Sequence, residues 1–70
     1  MDLQEELINR FTYHEPTDDQ VDKYQAIRKV GLLLSSMIVE FCPDSKERSL
    51  ALTKVDEAVM WGNASIARNS

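Results

Sequence analysis

Between Arg48 and Asn69 the chain runs R-S-L-A-L-T-K-V-D-E-A-V-M-W-G-N-A-S-I-A-R-N, and no other stretch limits the fold as tightly. It holds no proline and reads as one helix. Its seam is Leu52, Val55, Val59, Gly62 and Ile66 at heptad spacing, widened by Ala51, Ala58 and Ala67. Leu50, Met60 and Trp61 point elsewhere, and Asp56 and Glu57 mark a solvated side. One partner helix cannot cover apolar residues on that many sides, so this helix calls for further association. Its last turns add Trp61, Asn63 and Arg68, a mixture suited to a flat, anionic ligand.

A second long helix precedes it. Thr17-Asp18-Asp19-Gln20 is a capping box with acidic residues at the positive end of the helix dipole. The helix so opened runs from about Asp18 to Phe41, where Cys42-Pro43 stops it. That is about 24 residues, or roughly 36 Å at 1.5 Å per residue. Tyr24, Ile27, Gly31, Leu34, Ile38 and Phe41 form its seam, with Val30, Leu33 and Met37 in a row beside them. Gly31 costs about 1 kcal/mol of helix propensity against alanine, which close approach of another helix would offset. Pro43-Asp44-Ser45 is the turn, and D-S-K-E reads as a second capping box of Asp44 with Glu47, opening a helix over about 45–68. Two long helices on a tight turn make an antiparallel hairpin. Ahead of it, residues 1–10 form a short helix candidate over about 2–10, with Leu3, Leu7 and Ile8 as a narrow apolar stripe. Phe11 to Pro16 is a non-helical joint. No segment alternates with period two. The expectation is an all-α single domain over residues 1–70.

Seventy residues sit near the limit of independent stability, where small scaffolds add disulfides, a metal or oligomerisation. Cys42 is the only cysteine and His14 the only histidine, so neither an intrachain disulfide nor a zinc pattern is available. Oligomerisation remains, and a closed symmetric homo-oligomer is the economical way to cover the spare apolar rows. No apolar run approaches the ~20 residues that span a bilayer, and the start of the chain is acidic where a signal peptide is basic. These features point to the cytoplasm and away from membranes. A net charge of −4 argues against a surface for duplex nucleic acid. It leaves room for a small phosphorylated ligand held by a few converging cations.

Catalysis needs a nucleophile with a base, convergent carboxylates or metal ligands. Cys42 beside Pro43 reads as inert packing. The acidic pairs Asp18-Asp19 and Asp56-Glu57 diverge by about 100° as neighbours on a helix. No enzyme and no cofactor is expected. Binding residues are more open. Tyr13 and His14 stand in the joint, where a flat ring stacks on a base or packs on a neighbour. Arg28 and Lys29 are cations beside an apolar row. Arg68 lies in a last helical turn, where a cation already favours the dipole. Trp61 is more often an interface anchor than a ligand contact. Asn63 is costly at an apolar interface unless something bonds its amide.

Three motifs, taken together, carry a resemblance. F-x-Y-H-x-P at Phe11–Pro16, C-P-D-S-K-E-R-S-L-A-L-T-K at Cys42–Lys54 and E-A-V-M-W-G-N-A-S-I-A-R at Glu57–Arg68 resemble the phage anti-CBASS cyclic-nucleotide sponge proteins. The hairpin is also similar to that of phage anti-Thoeris sponges. Gly62 and Ser65 depart from the alanines of the related W-A-N-A-A-I-A-R pattern.

The resemblance implies a small helical protein that assembles as a homo-hexamer in the cytoplasm of an infected bacterium. It implies sequestration, without cleavage, of the cyclic oligonucleotide messengers of CBASS immunity. Cyclic dinucleotides would lie between protomers against Tyr13 and Arg28, with Lys29 the second choice for the cation and His14 beside them. Cyclic trinucleotides would take a separate pocket near a symmetry axis, with Arg68 on the phosphates and Asn63 close by. Three readings compete with this one. They are a sponge for a cyclic ADP-ribose-type signal, an inhibitor module that binds a host protein, and, least favoured for want of a metal site, a phosphodiesterase.

Overall fold

The computed structural model describes residues 2–70, and Met1, where the first helix candidate opens, lies outside the described residues. Three helices follow in order: α1 (Leu3–Phe11), α2 (Asp18–Phe41) and α3 (Lys46–Asn69). No strand occurs among the described residues.

Each helix starts where the local chemistry provides a cap. Asp2 accepts the Glu5 N–H at 2.8 Å and opens α1. Thr17 opens α2 with both halves of the expected capping box. Its Oγ1 accepts the Gln20 N–H at 3.2 Å, and its own N–H donates to Gln20 Oε1 at 3.1 Å. The start of α3 corrects the sequence reading. Ser45, not Asp44, is the N-cap, and its Oγ accepts the Arg48 N–H at 3.1 Å. With Ser45 as cap the third helical position is Arg48, so Glu47 falls one place short and no reciprocal box forms. Asp44 instead pairs with Arg48 at 3.1 Å.

α2 and α3 pack as the antiparallel hairpin. The expected seam of α3 is half-buried throughout, at Leu52, Val55, Val59, Gly62 and Ile66. The seam of α2 is shifted. Gln20, Tyr24, Ile27, Gly31, Ser35 and Ile38 face the partner, while Leu34 and Phe41 stay 47% and 68% exposed. A heptad advances 3.5 residues per turn and a straight helix 3.6, so the two stripes separate by about 20° every seven residues. A single hairpin does not supercoil enough to absorb that drift. The contact stripe therefore slides from Leu34 to Ser35 and leaves Phe41 behind.

At Gly31 the two helices approach closely. A Cβ added there would lie 2.6 Å from Val59 Cγ2, inside van der Waals contact. The close approach expected from the sequence is present. Gly62 differs, since a Cβ added to it would meet Ile27 Cδ1 at an ordinary 3.7 Å.

Among the described residues no apolar side chain is fully buried, and the only buried residue is Gln20. Leu3, Ile8, Val30, Leu33 and Trp61 are all exposed. Cys42, expected in packing, is exposed at the end of α2.

Candidate functional site

The polar end of the molecule is where α1, the start of α2 and the end of α3 meet, and one buried carboxamide organises it. Gln20 spends its oxygen on the α2 cap and its nitrogen on α3. Nε2 donates to the Ser70 carbonyl at 2.8 Å, with longer contacts to Ser70 Oγ at 3.3 Å and the Ile66 carbonyl at 3.4 Å. A helix leaves its last carbonyls without intrahelical donors, and Gln20 supplies one from a neighbouring helix. Asn9 of α1 supplies another, Nδ2 donating to the Arg68 carbonyl at 3.1 Å. The Asn9 carbonyl is in turn 2.8 Å from His14 Nε2. A carbonyl only accepts, so His14 Nε2–H donates to it. His14, Asn9 and Arg68 are thus strung together from the joint to the end of α3.

The candidate residues divide by what they can reach. Tyr13, next to His14, points outward at 83% exposure and offers a full ring face for stacking. Arg28 lies near the middle of α2, on the rim of a groove of about 350 Å³ shared with Ser35, Asp56 and Met60. Lys29, one residue on, is exposed and is not among the residues lining that groove. Ten residues of helix, or about 15 Å, separate Arg28 from Asp18 at the start of α2. Tyr13 and Arg28 therefore stand at different levels of one chain. Arg68 is half-buried and lines a cleft of about 360 Å³ between α1 and the end of α3. Asn63, on the same helix, has a buried Oδ1 with no hydrogen-bond partner among the described residues. Trp61 is exposed.

The cations divide as well. Arg10, Lys23, Arg48 and Lys54 each pair with a carboxylate, at 2.6, 3.1, 3.1 and 3.4 Å to Glu6, Asp19, Asp44 and Glu57. The three exposed pairs within a helix are worth about 0.3–0.5 kcal/mol each, while Asp44–Arg48 reaches from the turn into α3. Arg28, Lys29, Lys46 and Arg68 have no ion-pair partner among the described residues. Their charges are available to an anion. No cluster of His, Cys, Asp or Glu among the described residues is placed to hold a metal ion. No helix among them is long and apolar enough to cross a membrane.

Sequence reasoning missed Asn9, and it read Gln20 as a cap alone. Nothing in the spacing of either residue announces a partner 59 positions away for Asn9 or 50 for Gln20.

The molecule is thus an all-helical hairpin with unpaired cations and exposed apolar rows. Comparison with protein families matches residues 4–67 to the Acb2/Tad1, hairpin domain. The match spans nearly the whole chain, and the protein belongs to this family, the anti-CBASS and anti-Thoeris sponges. The family is one of cyclic-nucleotide sponges that bind their ligands and is not known for catalysis. Comparisons with curated proteins and with solved structures found no match.

Proposed function

We propose that this protein sequesters cyclic oligonucleotide second messengers intact and so blocks CBASS anti-phage signalling in the cytoplasm of the infected cell. The observation that carries this reading is the family match over residues 4–67. The unpaired state of Arg28 and Arg68 agrees with it. In the proposed assembly, a homo-hexamer, a cyclic dinucleotide lies between two protomers. Its bases stack on Tyr13, and each phosphodiester meets an Arg28. The difference in level between Tyr13 and Arg28 within one chain favours a site that draws them from different chains. Lys29 is the alternative cation and His14 a polar neighbour. A cyclic trinucleotide has three phosphates, matched by Arg68 from each of three protomers, with Asn63 Oδ1 free to accept from a ligand or a neighbouring chain. Association also answers the energetic problem of a 70-residue chain whose described apolar residues all retain exposed surface.

Calorimetry against a panel of cyclic di- and trinucleotides tests the reading, followed by heat denaturation and analysis of what is released. Intact nucleotide is the expected product, and cleaved nucleotide overturns the sponge. Base stacking is worth about 1–3 kcal/mol, so Tyr13→Ala should weaken dinucleotides by roughly 5- to 150-fold and spare trinucleotides. Arg68→Ala should do the reverse. Equal losses of both ligands in both variants would refute two separate pockets, and a monomer by light scattering at micromolar concentration would refute the assembly. A second reading is favoured by the anti-Thoeris half of the family, which keeps a cyclic ADP-ribose-type signal in view. Binding of such a ligand, with no binding across the oligonucleotide panel, would select it.

A further inference from the structure

The cleft beside Arg68 holds a second guanidinium that the reading above does not use. Arg10 of α1 lines it together with Glu6, Asn9 and Asn69. The two carboxamides are already committed through their nitrogens, Asn9 to the Arg68 carbonyl and Asn69 to the Ser65 carbonyl. Each of those nitrogens spends one of its two N–H groups in this way, and the charged donors in the cleft are the guanidinium N–H groups of Arg10 and Arg68. Arg68 has no carboxylate partner among the described residues. Arg10 has one, a single 2.6 Å contact with Glu6 from the preceding turn, and about half of each side chain is exposed, at 53% and 45%. A pair so exposed is weakly held. A phosphodiester oxygen pair can meet the planar fork of an arginine with two parallel bonds, where Glu6 makes a single contact.

We propose that this cleft is a phosphodiester site in which Arg10 releases Glu6 and joins Arg68 on the same anion. Glu6 is then a built-in competitor that sets the affinity. The inference rests on the sponge reading and adds a second cation and an internal rival to it. The charges agree with the exchange. Glu6, Arg10 and Arg68 sum to +1, and one phosphodiester brings the cleft to neutrality. Glu6, close to half exposed, turns back into water without stranding a buried charge.

The test is a calorimetric titration of the full chain with cyclic triadenylate, cyclic diguanylate and, separately, inorganic pyrophosphate. The proteins are the wild type, Glu6→Gln, Glu5→Gln, Arg10→Ala, Arg10→Lys and Arg68→Ala, each checked by circular dichroism. Loss of the competitor in Glu6→Gln should tighten the ligand that depends on Arg68 by about 3- to 10-fold. Glu5→Gln removes the same charge outside the cleft and should change it less than about twofold, which separates partner exchange from general electrostatics. Arg10→Ala should weaken binding by about 10-fold, and Arg10→Lys should recover part of that loss, since it keeps the charge without the fork. Whichever cyclic ligand responds identifies the source of the phosphodiester. If Arg68→Ala abolishes binding while Arg10 and Glu6 variants stay within twofold, the exchange is wrong and the sponge stands. If no cyclic nucleotide binds the wild type, the sponge fails and pyrophosphate decides the cleft. Pyrophosphate binding that is lost in both Arg10→Ala and Arg68→Ala upholds the cleft. Pyrophosphate binding that is absent, or indifferent to Arg10, overturns it.

Discussion

The hairpin is held by two different devices. At Gly31 the helices meet through shape, one backbone pressed so close to Val59 that no side chain fits between them. Where α2 begins and α3 ends they meet through a hydrogen bond from Gln20 to the Ser70 carbonyl, and α1 adds one from Asn9 to the Arg68 carbonyl. Shape contacts tolerate little change in volume and carry no chemistry. Carboxamide contacts tie main-chain carbonyls in place and leave the neighbouring side chains unencumbered. The polar end is where Arg68 and the Tyr13 joint lie. Arg68 and the Tyr13 joint thus lie apart from the close approach at Gly31, whereas Arg28 shares a groove with Gly31 and Val59.

Gly31→Leu tries to break the first device. Overpacking of this kind costs about 1–3 kcal/mol, and each kcal/mol shifts the melting temperature of a chain this size by about 4–8 °C. Circular dichroism melting should fall by roughly 10 °C, and an unchanged midpoint would show that the seam is open at Gly31. The second device breaks at Gln20→Ala. That change leaves both the Thr17 N–H and the Ser70 carbonyl without their partner, at about 1–2 kcal/mol. Hydrogen exchange should accelerate together in the first turn of α2 and the last turn of α3. Gln20→Glu keeps the acceptor for the cap and removes the donor, so it should accelerate α3 alone. Identical patterns in the two variants would mean that the cap, and not the bridge, organises this end.

Asn9→Ala is a smaller loss of about 0.5–1.5 kcal/mol. It should expose the amides of α1 to exchange and leave those around Gly31 and Val59 protected. If protection falls at the seam as well, the two devices are coupled. The smallest effect has the opposite sign. At Gly62→Ala the new Cβ meets Ile27 at 3.7 Å, so the gain in helix propensity, about 0.5–1 kcal/mol, is kept. The melting temperature should rise by a few degrees. A fall would reveal a second chain against Gly62.

The family was legible in the motifs at Phe11–Pro16, Cys42–Lys54 and Glu57–Arg68, as the match to residues 4–67 shows. The candidate site was legible residue by residue only. Tyr13, His14, Arg28, Lys29, Asn63 and Arg68 all stand on one chain, but the structure links only His14 to the end of α3, through Asn9. Two local readings failed for local reasons. The α3 cap moved from Asp44 to Ser45 because two adjacent residues both have capping side chains and only one satisfies the Arg48 N–H. Leu34 and Phe41 left the seam because a 3.5 period was applied to a helix that follows 3.6.

What the sequence determined by itself is therefore what short segments decide alone. It set three helices, the capping box of α2 and its stop at Cys42-Pro43, the apolar stripe of α3 and a glycine at the crossing. Propensity, capping and periodicity act over a few residues, so they can be read from a few residues. Tertiary structure decided the rest. Only the docking of α1 against the end of α3 brings Arg10 into one cleft with Arg68, from opposite ends of the chain. Only the crossing of α2 and α3 turns Gln20 from a cap into a bridge. These depend on the relative placement of whole helices, which no local pattern encodes.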